Sequence, residues 1–354
     1  MNSMLLTLDE SMSGWSPKTS KLGGLQNYTY EPRKPVPLGT MFRNGAECMS
    51  GILVFQDVVQ LSEVQSCKKK INKKSHLPNG AFVPAHTAEV LRQVEGAGVS
   101  KGGWVGGGSW FGSVLSAVEV KVRFDIHSTW VIKQNHDFFP TVAIHSVLSA
   151  WHGNRPAGHW VVFWTTIADV PLIAIGYAWS QKSASYFIST CGSTNPASHS
   201  YKTHFEDEFG VIQAKYIAWL HLLEWVYDYL PLMDEYNKQR QSLLHLEKKW
   251  PTKKCWLWLL VTLLGMCVGD MFRAYLNHDK NNYKNTTITE FSDMLFQNIR
   301  MREGRQPDCI ASVAANHSAE NDGEEFGLEM MAEPCYQIQQ HFREKRKTGE
   351  RANP

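Results

Sequence analysis

Short apolar runs alternate with turn residues through the first third of the chain: Met4 to Leu8, then a Pro/Gly-rich segment (EPRKPVPLG), then Ile52 to Val59. Brief β-favouring runs bounded by Pro and Gly read as strands joined by loops. From His86 the period changes. Val90, Leu91 and Val94 fall on one helical face, and Gly96 and Gly98 end that element. A short strand is expected around Trp104 and Val105, and after it Trp110, Phe111, Val114, Leu115 and Val118 recur at helical spacing. A further strand near Trp130 to Lys133 completes an α/β unit.

Residues 141 to 190 hold the runs HWVVFWTTI, VPLIAIGYAW and SYFIST without a comparably clear helix between them, which predicts an antiparallel insertion within the α/β fold. From Val211 to His245 and from Cys255 to Leu276 the pattern is helical, with Pro231 breaking the first stretch and Pro251 separating the two. The core is expected to end near Arg302. Between Ile310 and Cys335 there are six acidic residues and no Lys or Arg, followed by the basic terminus HFREKRKTGERANP. Such composition predicts a disordered tail without a packed core. The expected organisation is one domain over 1–303, carrying a β-rich insertion at about 134–215, and an acidic then basic tail over 304–354. No internal repeat is present.

Composition adds bounds. In 354 residues, 43% are hydrophobic and 20% charged, enough to bury one large core or two modest ones. A formal net charge of +2 neither announces nor excludes a local nucleic-acid patch. Lys68 to Lys74 (KKKINKK) carries five lysines and reads first as a solvated loop. Cysteines 48, 67, 191, 255, 267, 309 and 335 form no C-x-x-C pair, so free thiols, an intracellular location and no structural zinc are expected. MNSMLLTLDESM has neither a basic n-region nor a long apolar h-region, hence no secretory signal. The glycosylation sequons at Asn27, Asn285 and Asn316 are then chance matches. The most apolar stretch, Cys255 to Gly269, is uncharged over 15 residues, short of the roughly 20 that span a bilayer. It is expected to be a buried core helix, with no membrane association.

Two phosphate or acyl-transfer motifs fail on spacing. In GGWVGGGSWFG, Phe111 stands where Gly-x-Gly-x-x-Gly needs its last glycine, and no Lys-Ser/Thr pair closes a Walker motif. Phe111 likewise displaces the second glycine of a nucleophile elbow around Ser109.

Three segments carry a more specific pattern. LTLDESMSGW followed by RKPVPLG, then GGGSWFGSVLSAVEV, then MDEYNKQRQS with the downstream KKCWLWLLVTLLGMCVGDMFRAYL occur in this order across residues 4 to 280. Together they resemble the three catalytic blocks of piggyBac-type transposases. The resemblance implies an α/β fold of RNase H-like type, a mixed sheet flanked by helices. It also implies three aspartates, two on strands and one on a helix, that hold divalent metal such as Mg²⁺ for DNA strand cleavage and joining. Carboxylates suit hard cations, and paired ions stabilise both oxygens of an in-line displacement. The first aspartate falls on Asp9 and the third on Asp234, but the second falls on Gly108. The family's acid one turn after the third is Asn237 here, and its Asn-Ala-Tyr reads Arg273-Ala274-Tyr275.

The resemblance therefore implies a transposon-derived protein, nuclear like the family, with a degenerate active site: Asp9 and Asp234 as weak metal-site relics and no productive Mg²⁺ pair. The family's N-terminal DNA-binding region and C-terminal zinc module are expected to be missing, and DNA affinity to be weak. Two other readings stay open. One is an active nuclease in which another acid, such as Asp125 or Asp137, replaces the lost ligand; the other is a residual DNA- or protein-binding module. Taken without the resemblance, Asp9 is as readily a helix N-cap and Asp234 an exposed helical acid. Trp110, Phe111, Trp256 and Trp258 are expected in packed helix faces rather than as base-stacking platforms. Oligomeric state is left open by the sequence.

Overall fold

The computed structural model describes residues 4–15, 25, 27–59, 83–134, 136–150, 157–180, 183–206, 209–244, 246–250, 252, 254–278 and 285–303. The lysine-rich segment 68–74 and the tail 304–354 lie outside the described residues.

In chain order the strands are β1 (Leu5–Gly14), β2 (Tyr28–Tyr30), β3 (Leu38–Glu47) and β4 (Leu53–Val58), followed by helix α1 (Ala85–Gly96). Next come β5 (Trp104–Gly107), α2 (Val114–Phe124), β6 (His127–Ile132) and α3 (Thr141–Ala150), then β7 (His159–Ile167), β8 (Val170–Ala178) and β9 (Ala184–Ser189). A hairpin, β10 (Tyr201–Glu206) and β11 (Ile212–Ile217), leads into α4 (His221–Tyr229) and α5 (Leu232–Lys238). A π-helical turn (Gln239–Leu244), α6 (Leu246–Lys249), α7 (Cys255–His278) and α8 (Ile288–Glu303) finish the described chain. The chain divides into two units, one ending at Asp293 and one starting at Met294; of the second, only the end of α8 is described.

Nine strands form one mixed sheet in the order β2-β3-β1-β5-β6-β9-β8-β7, with β4 also pairing β3. β3 runs antiparallel to both β1 and β4, while β5 runs parallel to β1 and β6 parallel to β5. A parallel partner needs a crossover, and α2 supplies it between β5 and β6. The three runs expected as an insertion form β7, β8 and β9. They pair antiparallel with one another, and β9 pairs antiparallel with β6, so they extend the central sheet.

Period-2 alternation along β1 sends its two sets of side chains to opposite faces. Leu6 and Leu8 enter a core with Val90 and Val94 of α1 and Val118 of α2. On the other face, Phe42 and Ala46 of β3 meet Met233 and Tyr236 of α5 and Met266 of α7. A second cluster on that side joins Trp104, Ile175 and Phe187 to Leu220 and Leu223 at α4. Each fully buried side chain of this size contributes about 1.5–3 kcal/mol.

Several elements differ from the sequence expectation. The segment from Val211 is not helical at first: Ile212–Ile217 pairs in register with Tyr201–Glu206, and the helix starts at His221. Pairing with the preceding strand of the hairpin overrides local helical propensity there. Thr141–Ala150 is a helix, although its β-branched residues look strand-like; Ile144 and Leu148, four apart, sink into the core. Ile144 lies so close to β8 that a Cβ on Gly176 would meet it at 2.1 Å, so a glycine is required for this approach. β3 has no obvious apolar signature because Arg43 and Asn44, both buried, occupy its middle. Arg43 is ion-paired with Glu89 of α1, and Asn44 donates to Ser11 Oγ (2.6 Å) and accepts from Gln56 Nε2 (3.2 Å).

Of the four aromatic residues expected in packed faces, Phe111 is 1% exposed, but Trp110 and Trp256 are 39% and 60% exposed. The apolar helix is also longer than its uncharged stretch. α7 reaches His278, and by length and composition alone it could cross a membrane. Only one of its faces is buried, and polar contacts tie it to the sheet: Thr262 to Ser13 (2.7 Å), Leu53 N–H to Asp270 (3.0 Å) and Asn277 to the Ser50 carbonyl (2.9 Å).

Candidate functional site

The central strands bring two of the sequence-derived positions side by side. β1 and β5 pair in parallel through Leu8↔Gly107; the next residues are Asp9, still on β1, and Gly108, directly after β5. Asp9 is opposite Asn44 on β3, on the face that packs against α5 and α7. That face of β1 is otherwise polar and buried, with Thr7, Ser11 and Ser13.

The third position arrives from the helical side. Asp234 lies in the first turn of α5, close enough to Asp9 for its charge to raise the Asp9 pKa. The approach is set by a clamp that sequence reading did not find. In the π-helical turn that continues α5, Arg240 Nη2 and Gln241 Nε2 both donate to the Met12 carbonyl of β1, at 3.2 and 2.7 Å. Arg240 is buried and ion-paired with Glu247 of α6. Nothing in the sequence marks this pair, since Arg and Glu on helices are ordinarily solvated.

Burial is the largest influence on Asp9 and pushes its carboxyl up to about 6; the Glu10 backbone N–H opposes this and the Asp234 charge adds to it. Glu10, pointing to the opposite face, is also raised by burial, with Arg43, Lys34 and Lys133 acting against the shift. Asp270 of α7 is pushed up to about 6 by burial, although it accepts the Leu53 N–H.

Gly108 is the open position. A Cβ built there meets no atom within 4 Å, and its φ is not in the left-handed region, so a side chain has both room and an unstrained backbone. Among the described residues no group of three or more His, Cys, Asp or Glu converges. The other acids weighed as substitutes sit elsewhere. Asp125 is the left-handed C-cap of α2, paired with Lys121 at 2.7 Å, at the end of β5 remote from Gly108. Asp137 is exposed in the turn after β6. Asn237 lies one turn beyond Asp234 and presents a buried Oδ1 without a hydrogen-bond partner. Arg273 approaches Glu235 (3.8 Å), and Tyr275 packs on Phe291 with ring centroids 5.2 Å apart. Cys48 and Cys191 are free thiols.

The raised Asp9 pKa predicts a pH-dependent cost. Because the folded value, about 6, exceeds the ordinary 3.8, the stabilising contribution is complete below the ordinary value and lost as pH rises through 6. Asp9→Asn is therefore expected to raise stability near pH 7.5, by on the order of 1–2 kcal/mol given partial solvent access, and to have little effect near pH 4. Thermal midpoints of both proteins across that range check this; a difference independent of pH would remove the explanation.

Comparison with known proteins shows the fold. No family model matches the chain, and no curated protein matches it. Among solved structures, the chain is similar to a piggyBac transposase, determined by cryo-EM in a synaptic complex with hairpin DNA. The TM-score is 0.59 at 15% identity over 93% of this chain. The chain spans 60% of that transposase's length. At this identity the likeness establishes a piggyBac-like transposase fold.

Proposed function

We propose, from a fold shared with a piggyBac transposase, that this chain is a transposase-derived protein that engages DNA in the nucleus without cutting it. The sheet order around β1 supports an RNase H-like centre, three antiparallel strands followed by two parallel ones, with Asp9 and Asp234 as remnants of its metal site. The observation that carries the reading is Gly108. It stands beside Asp9 at the end of β5, with open space where a third carboxylate would project.

Two carboxylates that repel each other can attract a divalent ion loosely, but they do not hold two ions in the geometry of in-line attack. A misplacement of about 1 Å can cost on the order of a hundredfold in rate, and here a ligand is absent altogether. Asp125, at the far end of the strand, cannot replace it.

The test compares cleavage of transposon-end and generic DNA by the chain and by Asp9→Ala, each with Mg²⁺ or Mn²⁺. No cleavage above background is expected from either protein. Metal-dependent cutting by the unmodified chain that Asp9→Ala abolishes would sink the inactive reading. DNA engagement is checked separately by titration at several salt concentrations, where phosphate contacts give a negative slope of log affinity against log salt.

A further inference from the structure

Trp110 stands at the tip of the turn between β5 and α2, and the turn is fixed from beneath. Phe111 N–H and Gly112 N–H both donate to the Gly108 carbonyl, at 3.1 and 3.2 Å. Phe111 is buried in the core, and Gly112 lies so close to β6 that a Cβ would come within 1.9 Å of the Val131 carbonyl oxygen. Between these anchors the indole of Trp110 is held 39% exposed. Two cations approach its ring: the Arg43 guanidinium carbon at 5.3 Å from the centroid and Lys133 Nζ at 5.6 Å. Arg43 is buried and neutralised by Glu89, whereas Lys133 is exposed.

A large aromatic ring on a rigid turn, partly in water and beside an exposed ammonium, combines the two elements that bind single-stranded nucleic acid. The π-face accepts any base, and the cation meets the backbone phosphate. Asp9 points to the opposite sheet face from Arg43, so Trp110 lies away from Asp9; the carboxylate on its own side is Glu10, which is paired with Arg43 across β1 and β3 and feels both Arg43 and Lys133.

We propose that Trp110 is a stacking platform for an unpaired base of a DNA strand lying across the C-terminal ends of β5 and β6, with Lys133 on its phosphate. This rests on the DNA-binding reading above. The measurement is fluorescence anisotropy of the full chain with a labelled oligothymidylate of about 20 nucleotides, and with a duplex of equal length. Trp110→Leu is expected to weaken single-strand binding about tenfold, the lower-middle of what loss of one base stack costs. Trp110→Phe should stay within about threefold, because a smaller π-face remains. Trp256→Leu, on an exposed position of α7, should leave affinity unchanged. Lys133→Ala should flatten the salt slope by about 0.7, one single-strand phosphate contact. If the unmodified chain binds the oligonucleotide and Trp110→Leu binds equally well, the platform is disproved while DNA binding stands. If the unmodified chain binds neither DNA, the wider reading fails and takes this one with it. A thermal midpoint for each variant separates loss of fold from loss of binding. Should Trp110→Leu not fold, a salt slope untouched by Lys133→Ala overturns the proposal.

Discussion

Gly108→Asp is expected to make the chain's stability strongly dependent on divalent metal. In chelator, the new carboxylate adds a negative charge beside Asp9, whose pKa is already raised by burial and by Asp234, so the variant should melt below the unmodified protein at neutral pH. With Mn²⁺ or Mg²⁺ the order should reverse, because three oxygen donors then converge where two stood. Free ion at a hundred times its dissociation constant stabilises by about 2.7 kcal/mol, a rise on the order of 5 °C for a chain of this size. The open space around the Gly108 Cβ position means the substitution itself carries little steric cost. Differential scanning fluorimetry with and without metal measures the effect. Equal metal responses in both proteins would mean that Gly108 does not face the Asp9–Asp234 site. Recovery of strand transfer is not expected, since Asn237 still stands where the resemblance places a further acid.

The largest loss of stability is expected at Glu247. Its partner Arg240 has a fully buried side chain, and burial holds the guanidinium below its ordinary pKa while Glu247 opposes the shift. Glu247→Ala leaves that charge buried without its partner, which costs about 3–5 kcal/mol. Adding Arg240→Met should recover much of the loss, because the uncompensated charge goes while Gln241 still donates to the Met12 carbonyl at 2.7 Å. Urea unfolding of the two single variants and the double variant provides the cycle. A Glu247→Ala loss under about 1 kcal/mol would mean water reaches the guanidinium and the clamp is not a buried one. The same pair bears on the site, since it fixes the helix carrying Asp234 against the strand carrying Asp9.

Much of the architecture was legible without coordinates. Val90 and Val94 mark the buried face of α1, Trp104 and Val105 the short β5, and the three apolar runs after residue 158 become β7, β8 and β9. Where periodicity failed, the cause was a partner outside the segment itself. β3 hides behind Arg43 and Asn44, whose burial depends on Glu89, Ser11 and Gln56. Ile212–Ile217 is a strand only because Tyr201–Glu206 lies beside it. The exposure of Trp110 is likewise a product of the Gly108–Gly112 turn and not of its neighbours' helical spacing.

For the candidate site the division is similar. By itself the sequence determined the residue types at the candidate positions, Asp9, Gly108 and Asp234, because a glycine offers no side-chain oxygen in any fold. The tertiary structure alone decided that β5 sets Gly108 next to Asp9, that Arg240 holds α5 on β1, and that Asp9 is buried enough to titrate near 6. Ligand type is a local property of the chain, whereas proximity and desolvation arise only when residues separated by more than two hundred positions, as Met12 and Arg240 are, pack together.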